Sequence, residues 1–408
     1  MKVGRKRRLA YLLAAGAWGM LIYAAAPALS QRPYLPTAVD FEQALGPVAR
    51  VAPPGAAKAR AGQGKEPRVT FRSGVIEAPQ RFDLAGLAGE RRELELRGRE
   101  SGGEWSEWLE TANGDPVIFD GADELQLRTR GWRPSGTLHY VNVSGTSSGS
   151  ETLLTRFRQA VNSAFVSVSS IVDAKAEAIP TQPEIVRRAA WGANREVGGC
   201  RPRSPAAYGR VKSAVVHHTV SASDYTAAEA PAIVLGICRY HRNGNRWNDV
   251  GYNALVDRFG TLYQGRAGGL KKAVVGAHSQ GFNAQTTSIS SIGTHTTIPL
   301  SPQAKHSLIA YLAWKLSQHA IPAVGKATLT SAGGKASRYA SGKRVRLKRI
   351  IGHRDVGLTS CPGEALYAIL PEIRRLTQEG IETGGGVTPP PPVPPPVVPP
   401  AGGVKPAR

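Results

Sequence analysis

Two histidines and one cysteine are the residues of this chain best suited to chemistry. Val215-Val216-His217-His218-Thr219 ends one apolar run, and Ile350-Ile351-Gly352-His353-Arg354-Asp355 ends another. Cys361 follows His353 after a short loop and stands directly before Pro362-Gly363. Side chains alternate between the faces of a strand, so at most one of His217 and His218 can face a given site. Two imidazole nitrogens and one thiolate, drawn from two strand ends and a loop, make three ligands for Zn2+ and leave a fourth position for water. That is the arrangement of a catalytic zinc rather than of a closed structural one. The competing reading is a core histidine and a buried thiol, because a long spacing constrains little. Cysteine arithmetic weighs between them. Cys200 and Cys238 flank the first histidine run and could close a loop of about 39 residues, worth roughly 4 kcal/mol. Cys361 is then left over, and an idle thiol is rare in an exported chain, which favours metal binding.

Export is read from the first thirty residues. Lys2, Arg5, Lys6, Arg7 and Arg8 precede an apolar run from Leu9 to Ala26, and small residues follow at Ala26 to Ser30. This predicts a signal peptide over 1–30; the alternative is an uncleaved membrane anchor, since the run is just long enough to span a bilayer. Either way the rest of the chain is secreted or associated with the cell envelope. The net charge of +22 suggests an anionic partner such as a membrane surface or an acidic wall polymer, and export argues against nucleic acid.

Positioning the three candidate ligands requires a framework, and the chain divides into segments that could supply one. Residues 31–67 read as a linker, with a low-complexity stretch from Pro53 to Lys65. Over 68–143, Leu94 and Leu96, Leu125 and Leu127, then Leu138 and Tyr140 alternate at period two between glycine-rich turns, which predicts a small all-β sandwich. Trp105 and Trp108 within it are expected in its core. Residues 144–182 read as a linker with a helical connector. From 183 to 380 strands and helices interleave, predicting an α/β domain with a mixed central sheet flanked by helices. Val211 to Thr219 is a strand, Thr226 with Glu229 a capping box, Gly251 to Tyr263 a hairpin, and Ser301-Pro302 a helix start. Thr286 to Thr297 is polar for a strand and leaves one position of the sheet open. The tail 381–408 is rich in Pro and Gly and cannot form a core.

Seven motifs in order then match a known family. They are Arg188-Ala189-Ala190-Trp191-Gly192-Ala193, Val216-His217-His218-Thr219, Trp247-Asn248-Asp249-Val250-Gly251-Tyr252-Asn253, Asp257-Arg258-Phe259-Gly260, Gly265-Arg266, Gly276-Ala277-His278, and Gly352-His353-Arg354-Asp355 through Cys361-Pro362-Gly363. The segment resembles the zinc N-acetylmuramoyl-L-alanine amidases, a family that includes phage lysozyme-type amidases and peptidoglycan recognition proteins. The resemblance covers about half the chain, from Glu184 to Leu376. It implies a peptidoglycan recognition protein-like amidase fold, Zn2+ held by His217, His353 and Cys361, and peptidoglycan, through its muramyl stem peptide, as partner. It also chooses His217 over His218.

By the same resemblance Tyr252 assists catalysis as a donor to the developing oxyanion, and Thr359 orients the water or the intermediate. On the same resemblance His278 and Asn283 would line the peptide groove; Arg266, by its charge, could attract the carboxylates of the stem peptide, and Asp355 could hold a ligand imidazole or instead pair with Arg354 or cap its loop. Gln264 stands where a glutamate is usual. The implied reaction is hydrolysis of the amide between N-acetylmuramic acid and L-alanine. No glutamate is an evident general base, so the path of the proton to the leaving amine stays open. The rival readings are a recognition protein that binds peptidoglycan without cutting it and a zinc peptidase that cuts within the stem.

Overall fold

The computed structural model describes residues 37–51, 69–111, 114–144, 180–221 and 224–384. The expected signal segment, the helical connector and most of the Pro/Gly tail lie outside them. Among the described residues the amino-terminal part is one branched antiparallel sheet of eight strands. These are β1 (Val39–Ala44), β2 (Ala49–Arg50), β3 (Phe71–Arg72), β4 (Ile76–Leu87), β5 (Leu94–Arg99), β6 (Leu109–Thr111), β7 (Val117–Thr129) and β8 (Thr137–Asn142). The order is β1-β8-β4-β7-β3-β2, and β5 also pairs with β7 and carries β6 on its other edge. Phe82, Ala85, Leu87, Leu96, Leu125, Leu127, Leu138 and Tyr140 fill its core, as the period-two pattern predicts.

Two expectations for this region need correction. The segment expected as linker holds β1 and β2, which pair with β8 and β3. Their alternation is short and only partly buried, so it leaves a weak trace in the sequence. Trp105 and Trp108 are half-buried on the outer face, not in the core. Arg97 lies against both rings, Arg99 against Trp105, and Arg72 and Arg128 against Trp108, with guanidinium-to-ring distances from 4.3 to 5.4 Å. The indole faces are spent on cations, each contact worth about 0.5–1 kcal/mol at an exposed site.

The α/β part is built on a six-stranded sheet, β16-β10-β13-β11-β12-β9. Its strands are β9 (Ile185–Val186), β10 (Ser213–His218), β11 (Ala254–Val256), β12 (Leu262–Gln264), β13 (Thr286–Ser291) and β16 (Ile350–Gly352). β16, β10, β13 and β11 run parallel, and the β11–β12 hairpin is antiparallel. Helix α1 (Ala230–Arg239) packs on one face; α2 (Pro302–Ser317) and α4 (Leu370–Glu382), the latter after short α3 (Glu364–Ala368), pack on the other. Ser301 caps α2 by accepting from the Ala304 N–H, with Pro302 in the first turn. The polar stretch after Asn283 is the central strand β13, every residue of it buried. Small side chains fit between two strands and two helical layers, and Asn253 bonds the backbone and hydroxyl of Ser288. The basic hairpin β14 (Lys326–Thr330) and β15 (Arg344–Lys348) stands apart from this sheet.

The two regions share a core. Leu84, Ile118, Val141 and Val143 of the β region bury against Ile233, Val234, Ile237 and Tyr240 of α1 and the turn after it. Gly86 of β4 makes this fit possible, since a Cβ there would lie 2.2 Å from the Tyr240 hydroxyl oxygen. Asp40 of β1 pairs with Arg239, and the Cys200–Cys238 disulfide ties α1 to the loop before β10.

Candidate metal centre and cleft

Parallel strands place functional groups at their carboxyl ends. Val216 of β10 is in register with Gly352 of β16, so His217 and His353 emerge side by side with ring centroids 4.5 Å apart. Alternation sends His218 the other way, where its Nδ1 accepts from the His295 N–H and burial lowers its pKa to about 3. The loop that returns Cys361 is stapled by Arg354, which donates to the Ser360 carbonyl and pairs with Glu364. Donor atoms of His217, His353 and Cys361 all lie within 4.8 Å of one another, and all three residues are buried.

The donor set fits a tetrahedral cation. His217 Nδ1 is 3.7 Å from Cys361 Sγ, against about 3.6 Å between a nitrogen and a sulfur that share one zinc. Both ring nitrogens of His353 are buried without a hydrogen-bond partner, which costs free energy unless something else satisfies them. Burial keeps His217 well below the usual imidazole range, reinforced by His353, and holds His353 at about 4. Both are therefore neutral donors at pH 7. Burial pushes the Cys361 thiol up, a cost that an adjacent dication would reverse.

The supporting residues differ in part from expectation. His278 stands behind the candidate ligands as well as in the cleft: its Nδ1 is 3.2 Å from His217 Nε2, which fixes the ring that presents Nδ1 toward Cys361. Asn283 Oδ1 accepts from the His278 and Ser279 N–H groups and so shapes that loop. Asp355 holds no ligand imidazole. It accepts from the Gly352 N–H and the Tyr367 hydroxyl, capping the turn that carries His353. Thr359 accepts from the Cys361 N–H, and Arg266 donates to the Val250 carbonyl while lining the cleft.

Beside the centre opens a cleft of about 260 Å³, lined among others by Trp247, Tyr252, Arg266, His278 and Asn283. Two further lining residues, Arg91 and Asp115, come from the β region. Tyr252 packs against His217, centroids 5.2 Å apart, but its hydroxyl proton is directed at Asp115 Oδ1, 2.7 Å away. The same oxygen lies 2.9 Å from His241 Nε2. His241 Nδ1 accepts from the Gly251 N–H, so Nε2 carries the proton and donates to Asp115. Sequence reading missed Asp115 because Gly114-Asp115-Pro116 has the composition of an ordinary turn.

Comparison with known proteins finds relatives of the α/β part. Residues 207–364 match the N-acetylmuramoyl-L-alanine amidase family. Peptidoglycan-recognition protein SC2 of Drosophila simulans is 30% identical over 186 residues, which cover 45% of this chain and 82% of that protein. Peptidoglycan recognition protein 1 of Bos indicus is 31% identical over 199 residues, 47% of this chain and 86% of that one. The N-acetylmuramoyl-L-alanine amidase of Mus musculus is 30% identical over 191 residues, of which the match spans 46% of this chain and 30% of the mouse protein. With His217, His353 and Cys361 gathered at the ends of β10, β16 and the loop after it, the chain belongs to the family of N-acetylmuramoyl-L-alanine amidases and peptidoglycan recognition proteins.

Proposed function

We propose that this chain is a zinc-dependent N-acetylmuramoyl-L-alanine amidase, secreted or envelope-associated, that hydrolyses the bond between N-acetylmuramic acid and L-alanine in peptidoglycan. The observation that carries the proposal is the buried convergence of His217, His353 and Cys361, with donor atoms within 4.8 Å. A divalent cation held there would polarise the lactyl carbonyl and make water a competent nucleophile near neutral pH. His278 orients His217, and the Arg354 staple holds the Cys361 loop in reach of both histidines. Arg266, cationic and lining the cleft, suits the carboxylates of an acidic stem peptide. Tyr252, against His217, is the proton-bearing group beside the ligands. Thr359 supports the Cys361 backbone, which is a structural contribution to the same loop.

A recognition protein that binds without cutting is the second reading, favoured by the names of several relatives. Retention of the thiol speaks against it, because a purely binding groove gains nothing from a buried Cys361 among unpartnered imidazole nitrogens. Digestion of purified cell wall followed by mass spectrometry separates the readings. An amidase releases intact stem peptides that begin with L-alanine; a peptidase releases shortened ones; a recognition protein releases none. Cys361→Ser should lose both stoichiometric zinc and cleavage while the protein stays folded. A metal-supplied wild-type protein that retains no divalent cation would sink the proposal.

A further inference from the structure

Hydrolysis of an amide needs a group that takes a proton from the attacking water and returns one to the nitrogen. Among the described residues lining the cleft, Asp115 is the sole carboxylate, and it comes from outside the α/β part. It sits in the turn between β6 and β7, pressed against the turn after α1. A Cβ on Gly114, whose φ is +84°, would lie 2.8 Å from Asn245 Nδ2, and Asn245 donates to the Gly114 carbonyl and accepts from the Gly89 N–H. The carboxylate is held in place twice over, by the His241 Nε2–H and by the Tyr252 hydroxyl.

Tyr252 has one proton to donate, and Asp115 holds it. In this arrangement the phenol cannot also donate to an oxyanion, but its oxygen retains lone pairs with which to accept a proton. We propose that the β region supplies the proton acceptor of the reaction: Asp115, acting through the hydroxyl of Tyr252. This rests on the amidase reading above. As the water oxygen bonds to the lactyl carbonyl carbon, one of its protons passes to Tyr252 Oη and the phenolic proton passes to Asp115 Oδ1. As the carbon–nitrogen bond breaks, that proton returns by the same path to the nitrogen. The second proton of the water leaves the new carboxyl group for the freed amine, giving a carboxylate and an ammonium. Asp115 ends as it began.

Asp115→Asn keeps the shape and the accepting oxygen of the side chain but cannot take up the proton. Wild type, Asp115→Asn, Tyr252→Phe and the double variant should be compared on a soluble muropeptide, with calorimetric binding of the same muropeptide to metal-free protein as a second readout. The expected result is a kcat about 100-fold lower in each single variant, with KM and metal-free affinity within about threefold of wild type. In the Tyr252→Phe background, Asp115→Asn should change kcat less than about threefold, because residues acting as a unit are not additive. Independent, multiplying losses would assign Asp115 a separate structural role and overturn the proposal. Equal or faster turnover in Asp115→Asn with tighter metal-free binding would overturn it too, marking the turn as a plug. Should Asp115→Asn misfold, Tyr252→Phe decides alone, since full activity without the phenol leaves no relay. Wild type that fails to release L-alanine-headed peptide brings down the amidase reading and this inference with it; wild-type activity with an unaffected Asp115→Asn removes only the inference.

Discussion

Gly86→Ala tests whether the two regions are one folded unit. Gly86 lies in β4 opposite His139, and an added Cβ would meet Tyr240 Oη at 2.2 Å and Cζ at 2.8 Å. Neither side can yield cheaply. Tyr240 is 1% exposed and enclosed by the shared core, and β4 is paired along both edges. Overpacking of this kind costs typically 1–3 kcal/mol, and the close approach to a rigid ring places the expectation at about 2–3. With an unfolding entropy of about 2.1 cal/mol/K per residue over the roughly 290 described residues, each kcal/mol lowers Tm by about 1.6 °C, so a fall of roughly 3–5 °C is expected by scanning calorimetry. Gly74→Ala is the control, because nothing lies within 4 Å of a Cβ there; it should stay within about 0.5 kcal/mol of wild type. Since Asp115 reaches Tyr252 across the same boundary, kcat measured below the transition should fall with Gly86→Ala and not with Gly74→Ala. A Gly86→Ala protein with unchanged Tm and kcat would refute the shared core and the reasoning built on it.

Opening the Cys200–Cys238 bridge by Cys200→Ser should lower stability by roughly 4 kcal/mol in a denaturant titration, from the loop it closes, while zinc content stays at that of wild type. At Asp40, burial works to raise the pKa, but the His139 ring 3.8 Å away and the paired Arg239 guanidinium outweigh it and leave the carboxyl below its ordinary value. A depressed carboxyl contributes stability that is full above the unfolded-state pKa near 4 and is lost as pH falls through the folded value. Asp40→Asn should therefore destabilise the protein at pH 7 and flatten its acid loss below about pH 4, read from Tm against pH. On the β14–β15 hairpin Lys326 is opposite Lys348, and Arg344, Arg346 and Lys343 are exposed beside them. Like charges set opposite each other are unfavourable without an anion near. Raising ionic strength to about 0.5 M should release the protein from anionic wall polymers in a sedimentation assay, while soluble muropeptide turnover changes less than about twofold.

The convergence of His217, His353 and Cys361 was legible because donor chemistry is local. The three declare themselves by type and by their place after apolar runs, and the family motifs pointed to the histidine of the pair that joins the other two. The hairpin β11–β12 and the capped start of α2 were legible for the same reason, each being fixed by a few neighbouring residues. What was illegible depends on distant partners. β13 reads as polar, yet Thr286 to Ser291 is the buried centre of the sheet, because small side chains suit a crowded strand and Asn253 satisfies Ser288. Trp105 and Trp108 read as core, yet arginines from β3, β5 and β7 occupy their faces. Asp355 had two readings, and Tyr367 with the Gly352 N–H decides for the cap.

Asp115 is the extreme case, and it carries a consequence for how the β region must be built. A carboxylate that serves a neighbouring site is useful only if it is held about as firmly as the site itself. The boundary meets that demand with contacts on both sides of the centre. Near one wall, Asp115 and Gly114 engage His241, Tyr252 and Asn245. Near the other, Glu110 of β6 accepts from the hydroxyl of Ser360, the residue before the candidate ligand Cys361. β6 and the turn after it thus touch both the phenol arm and the thiol loop, within six residues of sequence from Glu110 to Asp115. A displacement of the β region large enough to free Asp115 would also release the Ser360 contact. The proposed proton acceptor and the loop of the proposed ligand Cys361 are thus both contacted from the β region, by Asp115 and by Glu110, which gives the two regions a reason to share a core beyond stability alone.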